Sequence, residues 1–332
     1  EHSKPNPEIY IKAINSLNLK AEDCIAVEDS PNGIRSAHNA NLKVVMIPDK
    51  IQPTEEIKQI TEKIYPSLKN LKEILGKQIL FFDGGTGTVL QEWGLKPGEF
   101  SENWNLSHPE KIQQLHYEYY KAGANIIKTN TFGALSIKFP LNLEKIITSA
   151  IQNANNARNQ IQKENQNSDK NEYFIAYDIS STGKLLKPLG DLDFEDAVNI
   201  FKKSFNIALK QKIDCILIET MNDGYETKAA VLAAKESLQE NKIDLPIFVT
   251  NVYDSDARLL SGATPESMVA MLEGLGVDAI GINCSLGPEQ MLPVVSKLSK
   301  VSSLPIIVNP NAGLPRVHNG KTVFEADISD GF

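Results

Sequence analysis

Seven short apolar runs recur along residues 79–308, separated by segments of helical periodicity, and this rhythm is what most limits the folds open to the chain. The runs are 79–82, 125–128, 174–177, 215–218, 247–250, 279–282 and 306–308. Strands that alternate with helices build a parallel sheet, either open and doubly wound or closed into a barrel. Each run hands over to a polar residue: Asp83, Thr129-Asn130-Thr131, Asp178, Glu219-Thr220, Asn251, Asn283-Cys284 and Asn309. Polar groups are costly to bury singly but natural around a site ringed by βα loops, so the pattern favours a (β/α)₈ barrel with its chemistry at the carboxyl ends of the strands. An eighth strand is not legible; beyond Pro310 come a loop-like PNAGLPRVHNG and the start of a helix.

The helical segments follow the same logic. Ser107-His108-Pro109-Glu110 reads as a capping box ahead of Ile112, Leu115, His116, Tyr119 and Tyr120 on one face, which makes His116 a packing residue and not a ligand. Thr264-Pro265-Glu266 starts another helix, with Met268, Met271, Leu272 and Leu275 on its apolar side. The stretch 153–172, rich in Asn, Gln, Lys and Asp, reads as a helix end running into a solvated loop.

Candidate chemistry sits at three exits. Cys284, in GINCSLGP, falls just past a buried strand, where a thiol reads equally well as a small hydrophobe and as a reactive group. Cys215 lies inside a strand and reads as inert. Asp83-Gly84-Gly85-Thr86-Gly87-Thr88 lacks both the Walker lysine and the dinucleotide spacing. Its glycines let backbone amides approach a small anion such as a substrate carboxylate, while Asp83 can pair with an amine. Glu219 is a second candidate for that amine. A net charge of −8 gives no positive field for nucleic acid or anionic lipid, and no apolar run is long enough to span a bilayer, so a small-molecule substrate is expected. Three cysteines without the spacing of a disulfide framework point to a reducing, cytoplasmic compartment.

Residues 1–76 read separately, as part of a doubly wound, Rossmann-type α/β domain. An amphipathic helix carrying Ile9, Ala13, Ile14 and Leu17 precedes a strand that delivers Glu28 and Asp29 at its tip, a pair suited to magnesium or, more plainly, to a solvated turn. KPNPEIY and VEDSPNGI resemble the C-terminal half of the haloacid dehalogenase-like hydrolases, in the phosphoglucomutase-like branch. The resemblance implies that Lys4 steadies a phosphoryl group and that Glu28 and Asp29 hold Mg²⁺. It also implies a nucleophilic aspartate on an earlier strand, without which these sites are vestigial and phosphoryl transfer cannot proceed.

Residues 77–332 carry FFDGGTGTVLQ, NWNLSHPEKI, AGANIIKTNTFGA, STGKLLKPLG, CILIETM, GINCSLGPEQMLP and NPNAGLP, in that order. Together they resemble the homocysteine S-methyltransferase family, with wording closest to the homocysteine module of its cobalamin-dependent methionine synthase branch. The resemblance implies a barrel that is cut short before its eighth strand, and transfer of a methyl group to homocysteine, giving methionine. It implies that Cys284 is one of three cysteine ligands of a Zn²⁺ that keeps the substrate thiol deprotonated, with Asn283 beside it. Asp83 and Glu219 then hold the amino-acid end of homocysteine, and Thr129, Asn130 and Asn283 are the other substrate-binding residues. The other two cysteines belong to a GGCCGT motif expected past Phe332, so the zinc site is expected to be incomplete and this fragment inactive. Methylcobalamin charged from methyltetrahydrofolate, through downstream folate and cobalamin modules, is the implied methyl source. Two departures from the pattern are visible: Ser180-Ser181-Thr182-Gly183 stands for GPTG, and Lys128 stands where an acidic residue is common. A phosphohydrolase carrying the barrel as a passenger, and a non-catalytic fusion fragment, are the alternative readings.

Overall fold

The computed structural model describes residues 4–28, 30–46, 54–64, 71–165, 172–311, 315–318 and 321–324. The chain divides into two compact units, Glu1–Glu73 and Ile74–Phe332. In the first, strands β1 (Ile25–Glu28), β2 (Lys43–Met46) and β3 (Lys63–Ile64) form a parallel sheet in that order. The helix Pro31–Asn39 crosses from β1 to β2, and Ile34 and Ala37 on its inner face bury against Ala26, Val44 and Met46.

The second unit is built on a six-stranded parallel sheet whose strands follow one another in chain order: β4 (Ile126–Lys128), β5 (Phe174–Ile179), β6 (Cys215–Met221), β7 (Ile247–Asn251), β8 (Ala279–Asn283) and β9 (Ile306–Asn309). Strands β5, β7 and β8 are buried along their whole length, as expected of parallel strands covered by crossover helices. Six of the seven expected runs are therefore strands at the expected places. The first, 79–82, joins the edge of β4 only through a bridge between Phe82 and Ile126. Its side chains explain why it is so slight: Ile79 is 81% and Phe81 57% exposed, so little apolar area drives the run into the sheet.

Three local expectations are corrected. Ser107 does not cap the helix Pro109–Lys121; it ends the short helix Trp104–Ser107, and its hydroxyl donates to Asn103 O at 3.2 Å. The helix end expected in the stretch 153–172 comes only at Glu164, because Leu143–Glu164 is one continuous helix. Ile146, Ile147, Ala150, Ile151, Ala154, Ala157 and Ile161 keep an apolar stripe running through the polar composition. Beyond Pro310 the chain forms an antiparallel pair, β10 (Pro315–His318), where a loop was expected, and β11 (Lys321–Phe324), where a helix start was expected; residues 325–332 lie outside the described residues. The register leaves two residues, Asn319-Gly320, between them, which is the strongest short hairpin signal a sequence can carry.

His116 packs as expected but at a cost. It is fully buried, neither ring nitrogen has a hydrogen-bond partner, and burial pulls its pKa down to about 4. An imidazole whose folded pKa lies below its unfolded one loses stability as pH falls, because only the unfolded chain takes up the proton. His116→Leu is expected to stabilise the barrel by about 1–2 kcal/mol at neutral pH. The gain should grow by about 1.4 kcal/mol per pH unit between about pH 6.5 and pH 4. Urea unfolding followed by tryptophan fluorescence reads this unit alone, since Trp93 and Trp104 both belong to it. Unchanged stability at every pH would show that the imidazole has partners after all.

Candidate functional site

The exits of Phe82, β4, β5 and β6 converge on one buried ionic cluster. Asp83 is anchored by its backbone N–H, which donates to Ile126 O, and its Oδ2 accepts from the Lys128 N–H at 2.9 Å. Lys128 Nζ lies 3.8 Å from Asp83 Oδ1 and 3.6 Å from Glu219 Oε2. Asp178, in β5, is close enough to interact electrostatically with Glu219, Lys128 and Asp83. Asp83 Oδ1 and Asp178 Oδ1 are both buried with no hydrogen-bond partner.

Burial dominates the electrostatics. It raises the Asp83 pKa to about 7, against the lowering effect of Lys128, and Glu219 adds a further rise. Burial and then the neighbouring Glu219 hold the Asp178 carboxyl well above its usual range. For Lys128 burial acts downward, but Glu219, Asp83 and Asp178 outweigh it and keep the ammonium protonated.

Glu219 reaches this cluster because β6 is irregular. Its pairing with β7 shifts register between Ile218 and Met221, and Thr220 takes a left-handed φ of 60°, a strained conformation for a β-branched residue. Asn283 at the end of β8 holds that bend. Its Oδ1 accepts from the Thr220 N–H at 3.0 Å and from Thr250 Oγ1 at 2.8 Å, while its Nδ2 donates to Thr220 Oγ1 at 2.7 Å and to Cys284 Sγ at 3.3 Å. Cys284 and Ser285 follow with φ of 58° and 61°, turning the chain out of the strand and leaving the Cys284 thiol exposed. Partial burial raises the thiol pKa and Glu219 adds to this, whereas Lys128 and the Asn283 and Thr220 hydrogen bonds lower it.

Asp83, Glu219, Asn283 and Cys284 are thus brought to one face. Thr129 and Asn130 lie behind it, with their polar groups engaged. Thr131 Oγ1 donates to Asp178 O, so Thr129 Oγ1 accepts from the Asp178 N–H and gives its own proton to Thr131. Asn130 Nδ2 donates to Ser101 O, tying the 101–105 segment to the strand end. Asp178 and Lys128 were not among the expected site residues, although each is a lone charge at the end of an apolar run, which is the available signal. Glu226 was also missed. It is buried, and its carboxylate takes the Ser181 hydroxyl and both the N–H and hydroxyl of Thr182, so it shapes the Ser180–Gly183 turn. Its signal is Asp223, which caps the helix Gly224–Asn241 by accepting from the Glu226 N–H.

In the first unit, Lys4 and Tyr10 both donate to Glu28 Oε1. Asp29 lies outside the described residues. A cleft of about 660 Å³ lined by Trp93, Trp104, His108 and Lys111 holds none of the candidate residues.

Fold and cluster together define a β/α-barrel protein with a buried ionic cluster at the carboxyl ends of its strands. The chain belongs to the homocysteine S-methyltransferase family, whose model matches residues 80–330. Residues 1–47 match the haloacid dehalogenase-like hydrolase model. The methionine synthase of Mycobacterium leprae is 30% identical over 253 residues, and that of Mycobacterium tuberculosis 28%. Each alignment covers 74% of this chain, which spans only 21% of the length of these relatives. The fold is shared with the homocysteine methyltransferase MmuM from Escherichia coli. Its metallated form gives a TM-score of 0.63 at 24% identity, covering 73% of this chain and 87% of that one; the oxidized form gives 0.62 at 23%, covering 71% and 83%.

Proposed function

We propose that the cluster at the strand exits binds the amino-acid end of homocysteine, and that the complete protein transfers a methyl group to its sulfur to give methionine. The observation that carries this reading is the pair of buried carboxylates, Asp83 and Glu219, aimed at one point beside an exposed thiol. An α-ammonium pairs with those carboxylates, which directs the substrate sulfur towards Cys284. In the transfer the sulfur lone pair forms the new S–CH₃ bond, the bond from methyl to donor breaks, and the thiol proton leaves.

A three-thiolate zinc centre does not fit the residues described. Cys215 is buried within β6 and Cys24 belongs to the other unit. Among the described residues no group of three or more His, Cys, Asp or Glu side chains is placed to hold a metal. Asp83 and Glu219 therefore serve substrate binding, with the Cys284 thiol beside them.

Titration calorimetry with methionine, the product, tests the reading. Asp83→Asn is expected to weaken binding at least about thirtyfold, the loss of one buried charge-assisted contact. Because only ionised Asp83 pairs with an ammonium and its pKa is about 7, wild-type affinity should fall about tenfold from about pH 8 to about pH 6. Equal affinity in the variant and a flat pH profile would sink the assignment.

A further inference from the structure

The ammonium pocket already contains an amine. Lys128 is the one cation among the described strand exits, and it stands within ion-pair reach of both Asp83 and Glu219, the groups assigned above to the ligand. Neither contact is a hydrogen bond: at 3.8 and 3.6 Å the ammonium balances charge without saturating the carboxylates. Asp83 Oδ1 remains buried and unpartnered beside it, as does Asp178 Oδ1. The lysine is also the most open member, with its side chain 14% exposed against 0% for Asp83 and 7% for Glu219. A flexible four-carbon stem lets an ammonium withdraw towards solvent, which a guanidinium fork or a shorter side chain cannot do as freely.

We propose that Lys128 is a resident competitor in this pocket: its amine fills the space between Asp83 and Glu219 that a ligand's amine requires, and it swings towards the barrel mouth when an amino acid binds. The inference rests on the homocysteine-site reading and adds a determinant of specificity to it. While Lys128 is in place the site is neutralised internally, so apparent affinity for an amine-bearing ligand is reduced by the fraction of time the pocket is open. A ligand lacking the amine gains nothing from displacing the lysine. Lys128 thereby sets how strongly the site discriminates between amino acids and their desamino analogues.

The test compares methionine with 4-(methylthio)butanoate, its desamino analogue, on the full chain and on Lys128→Met and Lys128→Gln. Glutamine guards against a folding defect, since it keeps polar contact with both carboxylates, and tryptophan fluorescence confirms that each variant is folded. Methionine affinity is expected to rise about tenfold in both variants while the analogue does not gain, so the methionine-to-analogue ratio rises. A fall in affinity for both ligands overturns the proposal and makes Lys128 the partner of the ligand's carboxylate. An unchanged ratio with wild-type binding intact overturns the proposal alone. Absence of methionine binding in all three proteins overturns it together with the homocysteine-site reading.

Discussion

Replacing Gly281 with alanine is expected to destabilise the barrel by at least about 3 kcal/mol, a large effect for one methyl group. Gly281 pairs with Ile307 across β8 and β9, and a Cβ placed on it lies 1.9 Å from the Ile307 carbonyl oxygen and 2.7 Å from its carbonyl carbon. Neither atom belongs to a side chain that can turn aside, so the two strands must separate. The separation also strains the bond from the Cys284 N–H to Asn309 O and displaces Asn283 from the β6 bend. Urea unfolding followed by tryptophan fluorescence gives the number. Gly274 is the internal control: it lies in the helix Pro265–Gly274 with open space around its Cβ position. Alanine there should be neutral or stabilising by up to about 1 kcal/mol. Similar values for the two substitutions would mean that β8 and β9 are not in close contact at Gly281.

The contrast between these glycines marks what a sequence can and cannot show. Nothing in the local sequence around either glycine says that one of them faces a neighbouring backbone. The positions of the strands were legible because apolar runs with polar exits have few other interpretations, and six of the seven runs became strands of one sheet. The strand pair Pro315–His318 and Lys321–Phe324 was less legible, because its two runs are short and polar and only the Asn-Gly between them signals the pairing. At the site, Asp83 and Glu219 were candidates because an acidic residue at a strand exit can pair with a substrate amine, a signal that Asp178 carries as well. Lys128 could not be assigned a role, since its meaning depends on lying within 4 Å of two carboxylates that are far away in sequence. Glu226 is a further step removed: it acts through a turn about 45 residues upstream, and no periodicity encodes that contact.

Asn283 is where strain, packing and chemistry meet, and Asn283→Ala is expected to cost on the order of 3–5 kcal/mol in barrel stability. An amide has two acceptor and two donor positions, and all four are engaged here. Alanine leaves the buried Thr250 hydroxyl without its acceptor and the left-handed Thr220 without both of its hydrogen bonds to Asn283. Freed from them, β6 should relax towards regular strand geometry, which rotates Glu219 away from Asp83, so methionine binding falls along with stability. A second readout separates this from general loosening. The Asn283 N–H favours the Cys284 thiolate, so its loss should slow alkylation of Cys284 by iodoacetamide at about pH 8, followed by mass spectrometry of the Cys284 peptide. Simple loosening exposes the sulfur further and speeds the reaction. Faster alkylation in Asn283→Ala, with stability little changed, would show that the bend at Thr220 is held by β6 itself and that Asn283 is only a neighbour of the site.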